Sequence, residues 1–345
     1  MQNEDRMRRV FRSLFCILTS AFCILFLPSC DRDSRETVTL YTSVDQPVAA
    51  PIIRDFEQKT GIRVTLVTDA EATKSVGLAE RVRAERSNPQ CDVFWSNEPF
   101  HTIALAKESI FEPYSSPVAA EVPKQFKDPN GQWCSVALRA RVIGVRVGEA
   151  AVSKLEDLAK LDMKGRIAMA KPTAGTTGGH VAALYVLWGD DNARAYFRRL
   201  HENGVALLGG NAKVAEAVGQ GTFAAGLTDN DDVAAAKAEG GRIDAVLPDQ
   251  GDGDIGALMV PTTLGLVARG ENRSPASTAA AKKLIDHLLS RETEQKLIAV
   301  GFAGWSVREL DAAKVKAMDV DLAKVAEVLP RATREAMSIL EGRPE

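Results

Sequence analysis

Apolar residues recur along the chain with two spacings, every second residue in some segments and every third or fourth in others. The first spacing is typical of strands and the second of amphipathic helices. In the first part of the chain the two alternate, as strand 37–41, helix 45–61, strand 62–67, helix 71–86, strand 92–95 and helix 99–107. This order predicts a parallel sheet covered by helices, because a helical crossover joins each strand to its parallel neighbour.

A second series of the same kind follows. Its members are strand 166–170, helices 179–188 and 191–202, strand 205–208, helix 212–218, strand 224–228, helix 231–238 and strand 243–247. Two strand-like segments, 136–147 and 257–268, flank this series, and we interpret them as crossings between two lobes. Helices are predicted at 280–289 and 292–300, and the tail 310–340 is predicted to be helical as well.

The predicted fold class is therefore α/β, with two lobes that are each a mostly parallel sheet flanked by helices. A ligand cleft is expected between the lobes. Lobe one is predicted to comprise 37–138, lobe two 139–256, and the segment 257–345 returns to lobe one and adds the C-terminal helices.

The start of the chain indicates export from the cytoplasm. A basic stretch precedes the apolar run 13–27, which is shorter than the ~20 residues of a membrane-spanning helix. The run ends in Leu-Pro-Ser-Cys30, similar to a bacterial lipobox. We expect a signal peptide at 1–29, lipid on Cys30 and a short tether at 30–36. An ordinary cleaved signal and an uncleaved anchor are the alternatives.

The net charge argues against nucleic-acid binding, and the cysteine content leaves one possible disulfide. Loss of residues 1–29 removes four arginines and two acidic residues, so the formal charge moves from −3 to −5. Such a mildly acidic chain has no sign of the basic face that nucleic-acid binding needs. Only Cys91 and Cys134 then remain in the body besides Cys30. They could pair in an oxidising compartment or stay separate thiols, and the sequence leaves both open.

Polar residues cluster where predicted strands end and helices begin. The four clusters are Thr42-Ser43-Val44-Asp45, Ser96-Asn97-Glu98, Thr173-Ala174-Gly175-Thr176-Thr177 and Thr228-Asp229-Asn230-Asp231-Asp232. Ligands of open α/β sheets bind beyond the carboxyl ends of the strands, so two facing lobes would bring all four clusters into one cleft. The alternative is that each polar side chain only caps its own helix.

Two of these clusters suggest opposite ligand charges. The hydroxyl-rich loop 173–177 contains a glycine, which permits close backbone approach, and opens a helix; it suits an oxyanion such as phosphate, carbonate or a ligand carboxylate. The turn 228–232 carries three aspartates, which favour a cation or a ligand rich in hydrogen-bond donors. A solvated acidic turn is the alternative.

Motifs of catalysis are absent or unconvincing. The sequence contains no H-E-x-x-H, G-x-S-x-G or C-x-x-C. Residues 251–256 match G-x-G-x-x-G, but a strand-like segment follows instead of a helix, and two aspartates would repel a pyrophosphate. We therefore expect no enzymatic activity and no resident cofactor.

Several segments in order resemble the ferric-ion-binding branch of the periplasmic binding proteins. They are Val38-Thr-Leu-Tyr-Thr-Ser43, Phe56-Glu-Gln-Lys-Thr-Gly-Ile62, Cys91-Asp-Val-Phe-Trp95, Lys171-Pro-Thr-Ala-Gly-Thr176, Gly221-Thr-Phe-Ala-Ala-Gly-Leu-Thr-Asp229, Leu247-Pro-Asp-Gln-Gly251 and Val260-Pro-Thr-Thr263. The resemblance implies the two-lobed type 2 binding-protein fold. It also implies capture of iron(III), often with a synergistic anion, and delivery to the membrane permease of an ABC importer.

The resemblance also implies particular site residues. Thr173 to Thr176 would hold the anion, with Asn211 assisting. Asp45 stands where family members commonly place a histidine ligand, and Asn97 or Glu98 where a glutamate ligand is common.

One departure concerns the metal. Family members that bind iron usually carry adjacent tyrosines just after the strand that here ends at Thr228, where this chain has Asn230 and Asp231. Any metal would then be held by carboxylates, amides and water, for which Asp45, Glu98 and Asp231 are the candidates. Related branches are thought to bind other solutes, including phosphorylated sugars.

The sequence thus predicts a monomeric, lipid-anchored, extracytoplasmic binding protein that captures iron(III) or a related metal for an ABC importer. The same fold binding an organic anion such as a sugar phosphate is the alternative, and a transferase on this fold is a further one.

Overall fold

The computed structural model describes residues 36–68, 75–149, 152–173, 175–270, 274–310 and 314–343. Glu36–Glu345 form one compact unit. The predicted signal peptide 1–29 and the lipidation site Cys30 lie outside the described residues. Within these ranges, no helix is both long and apolar enough to cross a membrane.

Strands and helices alternate along the described chain. The strands are β1 Thr37–Thr42, β2 Arg63–Thr68, β3 Val93–Ser96, β4 Phe111–Glu112, β5 Cys134–Arg146, β6 Ile167–Ala170, β7 Ala206–Leu208, β8 Ala225–Asp229, β9 Ile243–Val246, β10 Met259–Val267 and β11 Trp305–Ser306. The helices are α1 Gln46–Thr60, α2 Val76–Ala84, α3 Phe100–Lys107, α4 Gly175–Trp188, α5 Asp190–Glu202, α6 Asn211–Gln220, α7 Asn230–Ala238, α8 Pro275–Leu288, α9 Arg291–Ala299 and α10 Leu322–Leu340.

The strands join in the order β2-β1-β3-β10-β5-β8-β6-β7, and β4, β9 and β11 pair with β10 or β5 at the sides. At one end β1 runs parallel to β2 and β3, and at the other β6 runs parallel to β7 and β8. The pairs in the middle, which involve β5 and β10, are antiparallel. The predicted α/β class, with two parallel strand groups, is confirmed.

Strand β5 links the two groups. Its first part, Cys134–Ala140, pairs with β10, and its second part from Arg141 onward pairs with β8. The predicted crossing at 136–147 is therefore a strand that changes partners after Ala140. The lobe limits given from the sequence stay predictions.

Local sequence explains where the main helices begin and end. Pro47 lies in the first turn of α1, where its missing N–H is not needed, and Gly61 ends the helix with a φ of +71°. Asp321 caps α10, because its Oδ1 accepts from the N–H of Ala323 at 2.8 Å. The predicted helix at 310–340 was wrong for residues 314–321, since Ala317 forms a bridge with Ala257 there instead.

Helix α4 is the buried core of its half of the molecule. It is apolar around most of its circumference, as expected for a helix covered on all sides. Gly179 lets it approach helix α3 closely: a Cβ at this position would lie 1.9 Å from the ring of Phe100. The C-terminal helix α10 packs against α3, α4 and α5, so it contacts elements from both strand groups.

Candidate functional site

A cavity of about 190 Å³ lies where the strands β6 and β8 end and three helices begin. The helices are α4, α6 and α7, and each contributes its first residues to the wall. The lining residues are Asn97, Arg139, Ala170, Lys171, Thr173, Gly175, Thr176, Thr177, Gly209, Gly210, Asn211, Ala212, Asp229, Asp231 and Asp232. The first N–H groups of a helix have no partner within the helix, and its dipole is positive at that end. Three such ends at one cavity favour an anion.

Asp229 is the centre of a buried polar network. Its Oδ1 accepts from Arg141 at 2.7 Å, and its Oδ2 accepts from the hydroxyl of Thr176 at 2.6 Å and from the amide of Asn211 at 3.1 Å. The Asn211 amide also donates to the Thr176 hydroxyl at 2.9 Å. The carboxylate of Asp229 therefore already holds several donors.

Arg139 contacts both strand groups. Its Nη1 donates to Asp231 Oδ2 at 2.9 Å and approaches Asp229 Oδ2 at 3.3 Å. Its Nη2 donates to the carbonyl of Asn97 at 2.7 Å, in the loop between β3 and α3. The guanidinium also lies over the ring of Phe302. The side chain is only 4% exposed, so it is fixed by these contacts.

The pKa values of these groups follow from burial and charge. Burial alone would raise the pKa of Asp229, but Arg141 and Arg139 outweigh it and lower that pKa. For Asp231, burial outweighs the attraction of Arg139, and the nearby charge of Asp229 adds to it, so the pKa of Asp231 is raised. Burial alone would lower the pKa of Arg139, but the charges of Asp231 and Asp229 outweigh this effect, so the pKa of Arg139 is raised. Asp229 is thus the firmly ionised partner and Asp231 the more easily protonated one.

The opposite wall of the cavity is cationic and rich in hydroxyls. Lys171 lines it and has no carboxylate partner within the described part of the chain. Thr173 is exposed beside it, and the Thr177 hydroxyl donates to Asn211 Oδ1 at 2.8 Å. Lys171 and Thr173 are therefore available to a solute.

The structure brings most of the predicted ligand-binding residues to this cavity. They are Asn97, Thr173, Gly175, Thr176, Thr177, Asn211 and Asp229, together with the predicted metal ligand Asp231. Ala174 lies outside the described residues. Thr176 and Thr177 belong to the first turn of α4, which begins at Gly175 and not at 179 as predicted.

Three predicted ligand-binding residues lie behind the lining. The Ser43 hydroxyl accepts from the N–H of Asn97 at 3.0 Å and so orients that residue. Thr42 accepts from the N–H of Val44 at 3.0 Å. The Thr228 hydroxyl donates to the carbonyl of Asn211 at 2.9 Å. These contacts support the site without forming its wall.

The structure does not bring Asp45 and Glu98 to Asp231. Glu98 is fully buried and caps α3, accepting from the N–H of Phe100 at 2.6 Å, while its other oxygen lies 2.9 Å from His101 Nδ1. Asp45 precedes α1 and does not line the cavity. The predicted metal set of Asp45, Glu98 and Asp231 is therefore not brought together in this structure.

Sequence reasoning missed Arg139, Arg141 and Lys171. The signal was available for the first two: they interrupt Cys134–Arg146, a strand that is otherwise apolar and buried. A charged side chain in such a strand needs a buried partner of opposite charge. Asp229, which ends β8, and Asp231, two residues later, supply that partner.

Phenolate ligation is not available in this arrangement. None of the four tyrosines lines the cavity. The hydroxyls of Tyr41, Tyr114 and Tyr196 donate to Glu85, Asp286 and the Leu155 carbonyl, respectively.

Both body cysteines, Cys91 and Cys134, are free thiols, so the disulfide that the sequence left open is not formed here.

The fold and the cavity identify the class of protein. The chain belongs to the family of bacterial extracellular solute-binding proteins, whose family model matches residues 37–303. It is accordingly a binding protein of the periplasmic, ABC-importer class.

Two curated relatives differ in their solutes. Iron uptake protein A1 of Synechocystis is 25% identical over 214 residues, which cover 57% of this chain and 58% of that protein. A putative 2-aminoethylphosphonate-binding periplasmic protein of Salmonella typhimurium is 24% identical over 246 residues, covering 70% of this chain and 69% of that protein.

Solved structures share the two-lobed fold. Iron-bound HitA of Pseudomonas aeruginosa is 22% identical with a TM-score of 0.76, over 87% of this chain and 99% of that one. AfuA of Actinobacillus pleuropneumoniae, with exogenous fructose-6-phosphate bound, is 20% identical with a TM-score of 0.71. The match covers 90% of this chain and 98% of that one. The predicted two-lobed periplasmic-binding-protein fold is confirmed, and likeness at this identity establishes the fold alone.

Proposed function

We propose that this protein captures a small organic solute through an oxyanion group, such as a phosphate, phosphonate or carboxylate, and delivers it to an ABC-importer permease. The observation that carries the proposal is the meeting of three helix N-termini with Lys171 and Arg139 at one cavity. Helix N-termini supply N–H donors and positive potential, and a charge-assisted bond from a lysine adds to both.

The oxyanion would lie against α4 and α6. Thr173 and the backbone of Gly175 and Gly210 line this part, where no side chain blocks the approach of a ligand to the glycine backbone. The Thr176 hydroxyl already donates to Asp229, so its main role is to hold that carboxylate in place. We therefore assign the direct oxyanion contacts to Lys171, Thr173 and the two helix starts.

The rest of the solute would supply hydrogen-bond donors. Asp231 lines the cavity, and its Oδ1 is buried with no protein partner. A buried acceptor of this kind is stabilised by a hydroxyl or an ammonium group. A sugar phosphate and an aminophosphonate both combine an oxyanion with such donors. Fructose-6-phosphate in AfuA and the putative phosphonate-binding relative are consistent with this combination.

A metal ion is the second candidate. Oxygen atoms of Asp229, Asp231 and Asp232 lie within 4.8 Å of one another, and the iron-binding relatives favour this use. Two observations weigh against iron(III): Arg139 and Arg141 already form ion pairs with Asp229 and Asp231, and none of the tyrosines lines the cavity. Iron with a synergistic anion at the helix N-termini is therefore the competing outcome of the test below.

The remaining parts of the proposal concern transport. Lipid on Cys30 would hold the protein at the membrane surface, and a single copy would suffice for capture. The parts before and after Ala140 of β5 would rotate toward each other when the solute binds, because the cavity is lined both by Asn97 and by residues of the second strand group.

Mass spectrometry under native conditions tests the solute assignment. The full chain is extracted in mild detergent without added ligand, and the mass of the intact complex is measured. The protein is then denatured so that the released solute can be identified. A phosphorylated or otherwise anionic organic compound supports the proposal. One iron atom per chain in place of an organic compound would favour the metal candidate.

Two variants place the solute. Lys171→Ala should lose the co-purified compound, while Lys213→Ala should retain it, because Lys213 lies on α6 outside the cavity and pairs with Glu216. Equal retention in both variants would show that the solute binds elsewhere.

A further inference from the structure

We infer that Arg139 determines the charge class of the solute: it occupies Asp229 and Asp231, so that the three carboxylates of the site cannot bind a divalent cation. This inference rests on the proposed oxyanion function. It assigns to Arg139 the exclusion of divalent cations from the same site.

The three carboxylates alone would make a cation site. Oxygens of Asp229, Asp231 and Asp232 come within 4.8 Å of one another, and hard divalent cations prefer such oxygen sets. The cavity wall also brings these groups to a space that a small solute can enter. Without a competing cation, this part of the site would attract a metal ion.

Arg139 occupies the atoms that a metal ion would need. Its Nη1 contacts Oδ2 of both Asp229 and Asp231, at 3.3 and 2.9 Å, and so bridges the two carboxylates. Arg141 contacts Asp229 only, at Oδ1. Arg139 is thus the residue positioned between the two aspartates.

Displacement of Arg139 by a metal ion is unfavourable. Its side chain is 4% exposed, and its Nη2 is also bound to the carbonyl of Asn97. A metal held by both Asp229 and Asp231 would leave a buried guanidinium without its carboxylate partners, beside a second positive charge. An oxyanion has the opposite effect, because Arg139, Lys171 and three helix N-termini at the cavity attract a negative charge.

The test compares Mn²⁺ binding to the wild type and to Arg139→Gln, with the full chain in mild detergent at neutral pH. Electron paramagnetic resonance reports free Mn²⁺. We expect Arg139→Gln to bind Mn²⁺ at concentrations at least about tenfold lower than any binding by the wild type. The double variant Arg139→Gln/Asp231→Asn should lose most of the gained binding.

Two results would overturn the inference. One is Mn²⁺ binding by the wild type that Asp231→Asn abolishes, and this result needs no Arg139 variant to fold. The other is a folded Arg139→Gln that binds Mn²⁺ no better than the wild type. Binding of inorganic phosphate to the wild type is measured in parallel. Its absence would count against the oxyanion function and not against the exclusion of cations.

Discussion

Arg141 and Asp229 face each other across the antiparallel pair of β5 and β8, and Arg141 Nη1 donates to Asp229 Oδ1 at 2.7 Å. Both side chains are almost completely buried. Because Asp229 also ends β8 and begins the turn into α7, this ion pair joins the sheet to the wall of the cavity. The pair therefore connects stability with the shape of the site.

Removal of Arg141 should destabilise the protein strongly. Arg141→Met leaves Asp229 buried with less positive charge nearby, and breaking a buried ion pair in this way costs about 3–5 kcal/mol. Urea unfolding measures the loss. The double variant Arg141→Met/Asp229→Asn should be more stable than Arg141→Met alone, since it removes the unpaired charge. An unchanged urea midpoint in Arg141→Met would show that the pair contributes nothing.

A methyl group at residue 179 should separate α4 from α3. Alanine is normally the better helix former, but here its Cβ would meet the ring of Phe100 at 1.9 Å. Overpacking of this kind destabilises by about 1–3 kcal/mol. Thermal unfolding of Gly179→Ala should show the loss, and Gly179→Ala/Phe100→Leu should recover part of it. A more stable Gly179→Ala would mean that the two helices do not touch at this point.

Lys171 should contribute to affinity and little to folding. It is exposed at the cavity and forms no ion pair with another described residue, so its removal leaves no charge unpaired. A hydrogen bond to a charged group contributes about 1.5–3 kcal/mol, which corresponds to roughly 10- to 150-fold in affinity. Calorimetric titration of Lys171→Ala with the co-purified solute should show this loss at unchanged melting temperature. Full affinity in the variant would place the anion away from Lys171.

His180 should stay neutral in the folded protein down to about pH 3. Burial, and then the charge of Arg141, lower the pKa of His180 to about 3. In the unfolded chain a histidine titrates near 6.5. The folded pKa is the lower one, so the stability from His180 is fully present above about pH 6.5 and is lost as the pH falls toward about 3.

The comparison of two pH values isolates this histidine. Between pH 7 and pH 5 the wild type should lose about 2 kcal/mol that His180→Leu does not lose. Urea unfolding of both proteins at each pH gives the difference. An equal loss in both proteins would mean that His180 is protonated in the folded state.

The sequence predicted the order of elements because strand and helix periods are local features. It predicted β5 as a crossing strand, but a one-dimensional pattern does not reveal which partner each half of a strand selects. The change of partners after Ala140 depends on strands more than eighty residues away in the chain. The helix prediction for residues 314–321 was wrong for the same reason, since the bridge of Ala317 to Ala257 joins positions that are far apart in the chain.

The site was predicted only in part. Loops after strands could be recognised from their small polar residues, and the cavity contains members of three of the four. The two arginines in the apolar strand β5 indicated that a buried acidic partner was needed, but the sequence could not show that Thr176 would bind Asp229. Arg139 and Arg141 pair with Asp229 and Asp231, so the turn 228–232 carries less uncompensated negative charge than the sequence alone indicated.

The central claim is that the cavity binds an oxyanion-bearing solute. A thermal-shift titration of the purified protein with phosphorylated sugars, 2-aminoethylphosphonate, inorganic phosphate and ferric citrate tests it most directly. We predict that at least one phosphoryl or phosphonyl compound raises the melting temperature, that Lys171→Ala weakens this shift, and that ferric citrate has no effect. A shift with ferric citrate, abolished in Asp231→Ala, and none with any of the other compounds would contradict the account.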